Sequence, residues 1–456
     1  MRQNREEVDS QHQDEPILDI LGIGFGPSNL ALAIAVFEHN RSGTSEPVTA
    51  EFLERKPEFG WHRGMLIDGA TMQVSFLKDL VSLRDPTSRF SFLSYLHDRG
   101  RLIDFINHKC LFPSRIEFHD YLAWCAARLE HLVRYGQEVV SVRPVYAGDM
   151  VTHFEVLSHD QHGNTHTRLA HNIVVAAGLV PRFPDQAPPS PRVWHSHDLL
   201  YRLDTLPADA PTRFVVLGAG QSAAEVAEYL YRSYPDAEVC ALFSRFGYSQ
   251  SDDSPFANRI FDPGTVDIFH AAPDEVRGSL LAYHSNTNYS AVDVELIEQL
   301  YRRSYAESIH GTPRLRLLNV SRLVGVRDVD AGPVEVVVRR LDTGSVDRLT
   351  ADALICATGY EPNDPLSLLG HVGRHLRRSA DGRLRVDRDY RIAADPALRA
   401  GVYLCGGTEH THGISSSLLS NTAIRAGEIL ASVVEHSRVL RAAPLPFMVA
   451  SNAPLP

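Results

Sequence analysis

The chain has 456 residues, 44% of them hydrophobic and 22% charged, and carries a formal net charge of −11. That length exceeds what one hydrophobic core organises, so two or three domains are expected, in the composition range of a soluble globular enzyme. The acidic balance argues against nucleic acid or an anionic membrane as a partner, and no apolar run approaches the roughly 18 residues that span a bilayer.

Cysteine usage points the same way. Cys110, Cys125, Cys240, Cys356 and Cys405 are scattered, with no CxxC and no metal-ligand spacing, which fits a reducing cytoplasm better than secretion.

Taken in chain order, residues 1–15 are polar and acidic and are expected to form a disordered tail. PILDILGIGFGPSNLALAIAVFEHN follows, with a strand-like run from Ile17 to Leu21, a glycine turn, and Leu30, Ala31, Ala33, Ile34 and Phe37 at helical spacing. A second strand, VTAEFLE (48–54), completes the start of a parallel α/β unit. The turn Gly22-Ile-Gly24-Phe-Gly26-Pro27 matches the dinucleotide fingerprint except that Pro27 replaces its last glycine. Small residues there let the backbone approach a pyrophosphate seated on a helix N-terminus, and proline suits a first helical turn. Glycines alone would also serve a plain tight turn. Glu54, closing the second strand, adds an acid placed to accept hydrogen bonds from an adenosine ribose.

The pattern returns at 213–245, just after the proline-rich segment 181–196. Here the turn is Gly218-Ala-Gly220-Gln221-Ser222-Ala223, and the next strand runs into Ser244-Arg245 instead of an acid. A serine and an arginine bind a 2′-phosphate that a carboxylate would repel, so this half favours NADPH, unless Arg245 is merely a solvated surface residue. Two Rossmann-like units with unlike ribose ends imply FAD and NADPH in one α/β chain. The expected division is a discontinuous FAD-binding domain over 16–205 and 346–456, with the substrate site at the interface, and an inserted NADPH-binding domain over 211–345. VVAAGLVPRFP (174–184) reads as the crossing out and ICATGY (355–360) as the crossing back.

Disulfide reductases share this layout, but no two cysteines here are close enough for a redox dithiol. Oxygen activation remains, in which reduced flavin and O2 give a C4a-hydroperoxide that oxidises amines, sulfides or ketones. Residues 72–85, MQVSFLKDLVSLRD, bear on the choice of substrate. Lys78 sits among Phe76, Leu77, Leu80 and Val81, and an inward lysine requires an anion nearby. Asp79 or Asp85 could be that anion, or a substrate carboxylate could. His410 and His412 lack an evident third ligand, so no metal is expected. Phe59 and Trp61 either pack over a flavin or fill core.

Several stretches, in order, resemble the microbial N-hydroxylating monooxygenases, specifically the L-ornithine N5-monooxygenases and their lysine-hydroxylating relatives. They are GFGPSNLALA (24–33), FLERKPEFGWHRGML (52–66), MQVSFLKDLVSLRDPTSRFSFLSYL (72–96), GAGQSAAE (218–225), SDDSPFAN (251–258), NTNYSAVDVELIE (286–298), CATGY (356–360) and HGISSSLLS (412–420). Two departures are Cys356, where the family usually has an acid, and Arg259, where a glutamate is commoner. The LRDP continuation at 83–86 sets the chain apart from the related diamine hydroxylases.

The resemblance implies a cytoplasmic enzyme, forming a homotetramer or homodimer, that converts L-ornithine to N5-hydroxy-L-ornithine for hydroxamate siderophores or related products. It implies FAD contacts from Glu54 through Trp61 and His62, from Gln73, from a group near Val139, and from Ser417, Leu418 and Leu419 at the last helix. NADPH would be held by Gly220 to Ala223, Arg245 and Asn288, and the amino acid by Lys78, Asn258, Asn288 and Ser420, with no acid–base residue. The alternatives left open are the same chemistry on L-lysine, or an NADPH oxidase or flavin redox sensor.

Overall fold

Residues 18–23 are apolar at nearly every position and buried from Asp19 onward, the pattern of a strand covered on both faces. The computed structural model describes residues 16–43, 45–206, 211–287, 289–311, 313–328 and 332–442, so the expected tail over 1–15 lies outside the described residues.

The first sheet is built from Leu18–Ile23 (β1), Ala50–Glu54 (β2), Val133–Tyr135 (β3), Glu138–Ala147 (β4), Met150–His159 (β5) and Thr165–Val175 (β6), in the order β3-β2-β1-β6-β5-β4. β2 pairs in parallel with both β1 and β3, and β6 lies parallel to β1, while β4 and β5 form an antiparallel meander on the early half of β6. Strand alternation then sorts side chains to two cores. Ile20, Phe52 and Val174 pack beneath the helices 27–42, 115–127 and 422–442, whereas Leu21, Leu53, Ile173 and Val175 pack against the meander and residues 366–404.

Leu179–Pro181 (β7) leaves this unit, and Val193–His195 (β8), Arg213–Leu217 (β9), Glu238–Leu242 (β10) and Leu315–Leu318 (β11) enter a second, all-parallel sheet. Ser321–Asp328 (β12), Val334–Arg340 (β13) and Val346–Ala351 (β14) form a separate antiparallel sheet. Ala353–Cys356 (β15) returns to the second sheet between β9 and β8. Tyr360–Pro362 (β16) pairs antiparallel with β7, so the outward and return crossings run side by side, and Gly401–Leu404 (β17) rejoins the first sheet along β6.

Strand pairing thus differs from the expected division at two places. Residues 193–195 and 353–356, assigned from sequence to the first unit, are strands of the second sheet, and β14 pairs with β13. Val193–His195 is too short to announce a strand, and ICATGY is a buried strand of the inserted unit whose following turn makes the crossing. No helix among the described residues is long and apolar enough to cross a membrane.

Candidate dinucleotide and substrate sites

The first glycine turn joins β1 to the helix Pro27–Ser42, with Gly26 as its N-cap and Pro27 in its first turn. Gly24 holds φ at +84°, and a Cβ there would meet the Ala176 carbonyl oxygen at 2.5 Å. Only glycine suits both constraints. Around Gly26 nothing would lie within 4 Å of an added Cβ, which leaves the helix N-terminus open to an anion. These features fit a pyrophosphate.

Glu54 does more than its spacing suggested. Its Oε2 accepts from Phe25 N at 2.7 Å and its Oε1 from Lys56 N at 3.0 Å, so the acid that could face a ribose also ties the turn to β2. Asn29, not singled out from sequence, is fully buried and donates Nδ2 to the Gly24 carbonyl at 2.7 Å. A polar side chain inside an otherwise apolar helix face was the available signal. Gln137 N donates to the Glu54 carbonyl at 2.9 Å, which brings Val139 on β4 to the same end of the sheet.

Trp61 and His62 follow β2 in an extended loop, their rings 4.7 Å apart. His62 is in the left-handed region at φ 48°, and burial, then the Arg115 guanidinium, pushes its pKa down to about 3. Phe59 is core, while Trp61 is only partly buried beside it. Gln73 is exposed and, among the described residues, its side chain reaches only the Thr71 hydroxyl, at 3.5 Å.

The second turn repeats the first. Gly218 has φ +143°, and a Cβ added there would collide with the Ala357 carbonyl oxygen; Gly220 caps the helix Gln221–Ser233; and Ala223 is buried under the turn. Gln221 is turned to another task, its Oε1 accepting from Asp293 N at 2.8 Å. Ser222 lies in the first turn of the same helix. Ser244 and Arg245 are exposed just beyond β10, and Arg245 donates Nη1 to the Ser290 carbonyl at 3.0 Å. Asn288 lies outside the described residues.

Lys78 ends a short 3-10 turn, Phe76–Lys78, and is half-buried. Its two suspected partners are engaged elsewhere. Asp79 accepts from Val81 N, Ser82 N, Ser82 Oγ and Phe92 N at 2.7–3.0 Å, and Asp85 accepts from Thr87 N and Oγ1. Burial still raises the Asp79 pKa against those bonds. Among the described residues Lys78 makes no side-chain hydrogen bond or ion pair.

The turn carrying Lys78 packs against Leu419–Asn421, and the turn Ala257–Phe261, carrying Asn258, packs against Ile414–Ser417. Asn258 spends Nδ2 on the Asp253 carbonyl at 2.6 Å, while its Oδ1 has no partner among the described residues. Ser420 Oγ, Ser416 Oγ and both side-chain polar atoms of Asn421 are buried without partners among the described residues. Ser417, Leu418 and Leu419 remain at least partly open beside them. His410 and His412 lie in a helical turn, not a strand, and hydrogen-bond to the Leu384 and Arg388 carbonyls.

A mixed sheet and a parallel sheet, each with a parallel strand leading through a glycine turn into a helix N-terminus, define an oxidoreductase with two dinucleotide sites. The family described as L-lysine 6-monooxygenase/L-ornithine 5-monooxygenase matches residues 16–362, and the chain belongs to it. The L-ornithine N(5)-monooxygenase of Burkholderia cepacia is 42% identical over 408 residues, which is 88% of this chain and 91% of that one. A solved structure of the Kutzneria sp. 744 ornithine N-hydroxylase, with reduced FAD, NADP+ and L-ornithine in its description, is 45% identical with a TM-score of 0.88, covering 92% of this chain and 100% of that one. The ornithine hydroxylase of Pseudomonas aeruginosa is 35% identical with a TM-score of 0.87, at the same coverage.

Proposed function

We propose that this protein is an FAD- and NADPH-dependent monooxygenase that converts L-ornithine to N5-hydroxy-L-ornithine, for a hydroxamate siderophore or a related product. The single observation that carries the substrate class is Lys78, a half-buried ammonium whose neighbouring acids are already occupied. A cation withdrawn from water without an anion is costly, and an α-carboxylate would relieve it. The ornithine named for each relative supports the choice of amino acid.

In this reading Lys78 binds the α-carboxylate, the free Oδ1 of Asn258 accepts from the α-ammonium, and Ser420 and Asn288 complete the grip. The side-chain amine then extends from a fixed head. Asp79 is taken up by four donors, so it does not hold that amine protonated, and the neutral amine keeps the lone pair that forms the N–O bond. The rate therefore falls as pH drops and the amine charges. Gly22, Gly24, Gly26, Pro27 and Glu54, with Trp61, His62, Gln73, Val139 and Ser417 to Leu419, would hold FAD, which would supply the activation of O2. Gly218 to Ala223, with Ser244, Arg245 and Asn288, would hold NADPH. Amine, NADPH, a proton and O2 give hydroxylamine, NADP+ and water. The protein's part is positioning and exclusion of water.

Lys78→Met tests the carrying observation. A charge-assisted contact of about 1.5–3 kcal/mol predicts an ornithine KM roughly 10- to 150-fold higher, with FAD content retained. Putrescine has no carboxylate, so its weak turnover should be unchanged. An ornithine KM equal to that of the wild type would remove Lys78 from the site. The five free thiols support a cytoplasmic location, and the homodimer or homotetramer suggested by resemblance is decided by mass from light scattering.

A further inference from the structure

The helix Arg115–Ala127 begins with a guanidinium that belongs to neither dinucleotide turn. Arg115 Nη2 pairs with Glu225 Oε1 at 2.8 Å, with side-chain exposures of only 13% and 4%. Its Nη1 donates to the Met65 carbonyl at 3.2 Å and its backbone N to the Ala70 carbonyl at 2.9 Å. The residues just before it pair with the stretch leading to Lys78, through Met72 N to Pro113 O and Phe76 N to Leu111 O, both at 2.9 Å.

On the other side, Glu225 lies on the helix that starts at the second glycine turn, and its Oε1 also accepts from Gln221 Nε2 at 3.0 Å. Gln221 in turn receives Asp293 N, and the adjoining Ser290 lies over Gly220, its Cα 3.4 Å from a Cβ placed there. A run of part-buried polar contacts, from the Met65 carbonyl through Arg115, Glu225 and Gln221 to Asp293, therefore links the segment before Lys78 to the helix of the NADPH turn. Arg232 adds a second tie along the same helix, to the Asp68 carboxylate at 2.9 Å, but at an exposed site where such pairs contribute little.

We propose that Arg115 and Glu225 are a positioning pair that holds the second dinucleotide in register with the substrate segment, so that NADP+ stays seated while the amine is oxidised. The proposal rests on the function inferred above. Coupled turnover converts NADPH, a proton, O2 and the amine to NADP+, hydroxylamine and water. With the pair broken, the dinucleotide unit loses its register, and NADPH, a proton and O2 yield NADP+ and hydrogen peroxide instead.

The test compares wild type with Glu225→Gln, Arg115→Lys, Arg115→Met and the Arg115→Met/Glu225→Gln double variant. Each is assayed as FAD-loaded enzyme for NADPH KM, kcat, peroxide per NADPH, flavin content and melting temperature. Glu225→Gln keeps the shape and should raise NADPH KM and the peroxide share roughly fivefold or more, with kcat for NADPH oxidation, flavin content and melting temperature near wild type. Arg115→Lys should retain most of the coupling. The double variant should be no worse than the worse single, because one interaction is lost in each. The pair is refuted by unchanged NADPH KM and peroxide share, by single effects that simply add, or by changes seen only with flavin loss and a lowered melting temperature. Wild type that hydroxylates no amine would instead overturn the proposed function.

Discussion

At positions 78 and 79 two opposite charges stand side by side in the chain and do not meet. Asp79 folds back on the loop it begins, gathering donors from Val81, Ser82 and Phe92, while Lys78 has no side-chain partner among the described residues. The sequence raised both possibilities and could not choose, because adjacent residues at the end of a 3-10 turn point in different directions. Asp79→Asn replaces a carboxylate that accepts four hydrogen bonds, and should destabilise the fold by about 1–3 kcal/mol, seen as a lower melting temperature. An unchanged melting temperature would mean that the loop does not depend on it. Arg245 is exposed and braced by the Ser290 carbonyl, and the proposed function gives it a 2′-phosphate to bind. Arg245→Ala should weaken NADPH roughly tenfold or more and NADH hardly at all. Equal losses for the two cofactors would contradict the phosphate role.

Among the elements, the two strand–glycine turn–helix units were legible because hydrophobic period and turn chemistry agree at both. Gly24 shows why the turn cannot be approximated: at φ +84° with Ala176 O 2.5 Å from an added Cβ, Gly24→Ala is strained in backbone and space at once. That variant should purify without FAD, and a flavin spectrum at wild-type intensity would refute the assignment of the turn. What pattern could not supply was partnership across the chain. β8 and β15 read as parts of the first unit because three or four apolar residues do not say which sheet they join. Asn29 and Glu225 lie inside matching stretches and Arg115 in none, but no spacing states what they do, and their roles come from contacts with residues far away in sequence.

At the scale of the molecule, the two crossings between units meet at a cluster of imidazoles. His195 ends β8 with 1% exposure, donating Nε2–H to the Gly359 carbonyl at 3.0 Å and accepting His197 N at Nδ1. Burial lowers its pKa from the ordinary 6.5 to about 4. The unfolded chain therefore takes a proton that the fold refuses, so this contribution to stability is intact above pH 6.5 and is lost as pH falls from there toward 4. His195→Gln should flatten the melting temperature against pH across that window, and an unaltered slope would show that another group governs it. The whole-molecule claim is that these units cooperate to place one oxygen atom on one amine. The most direct measurement is the yield of hydroxylamine and peroxide per NADPH consumed with L-ornithine, L-lysine and putrescine in parallel. N5-hydroxy-L-ornithine should form in near-equal amount to NADPH oxidised, with lysine and putrescine giving far less product. NADPH oxidation at the same rate with and without amine, ending in peroxide alone, would contradict it.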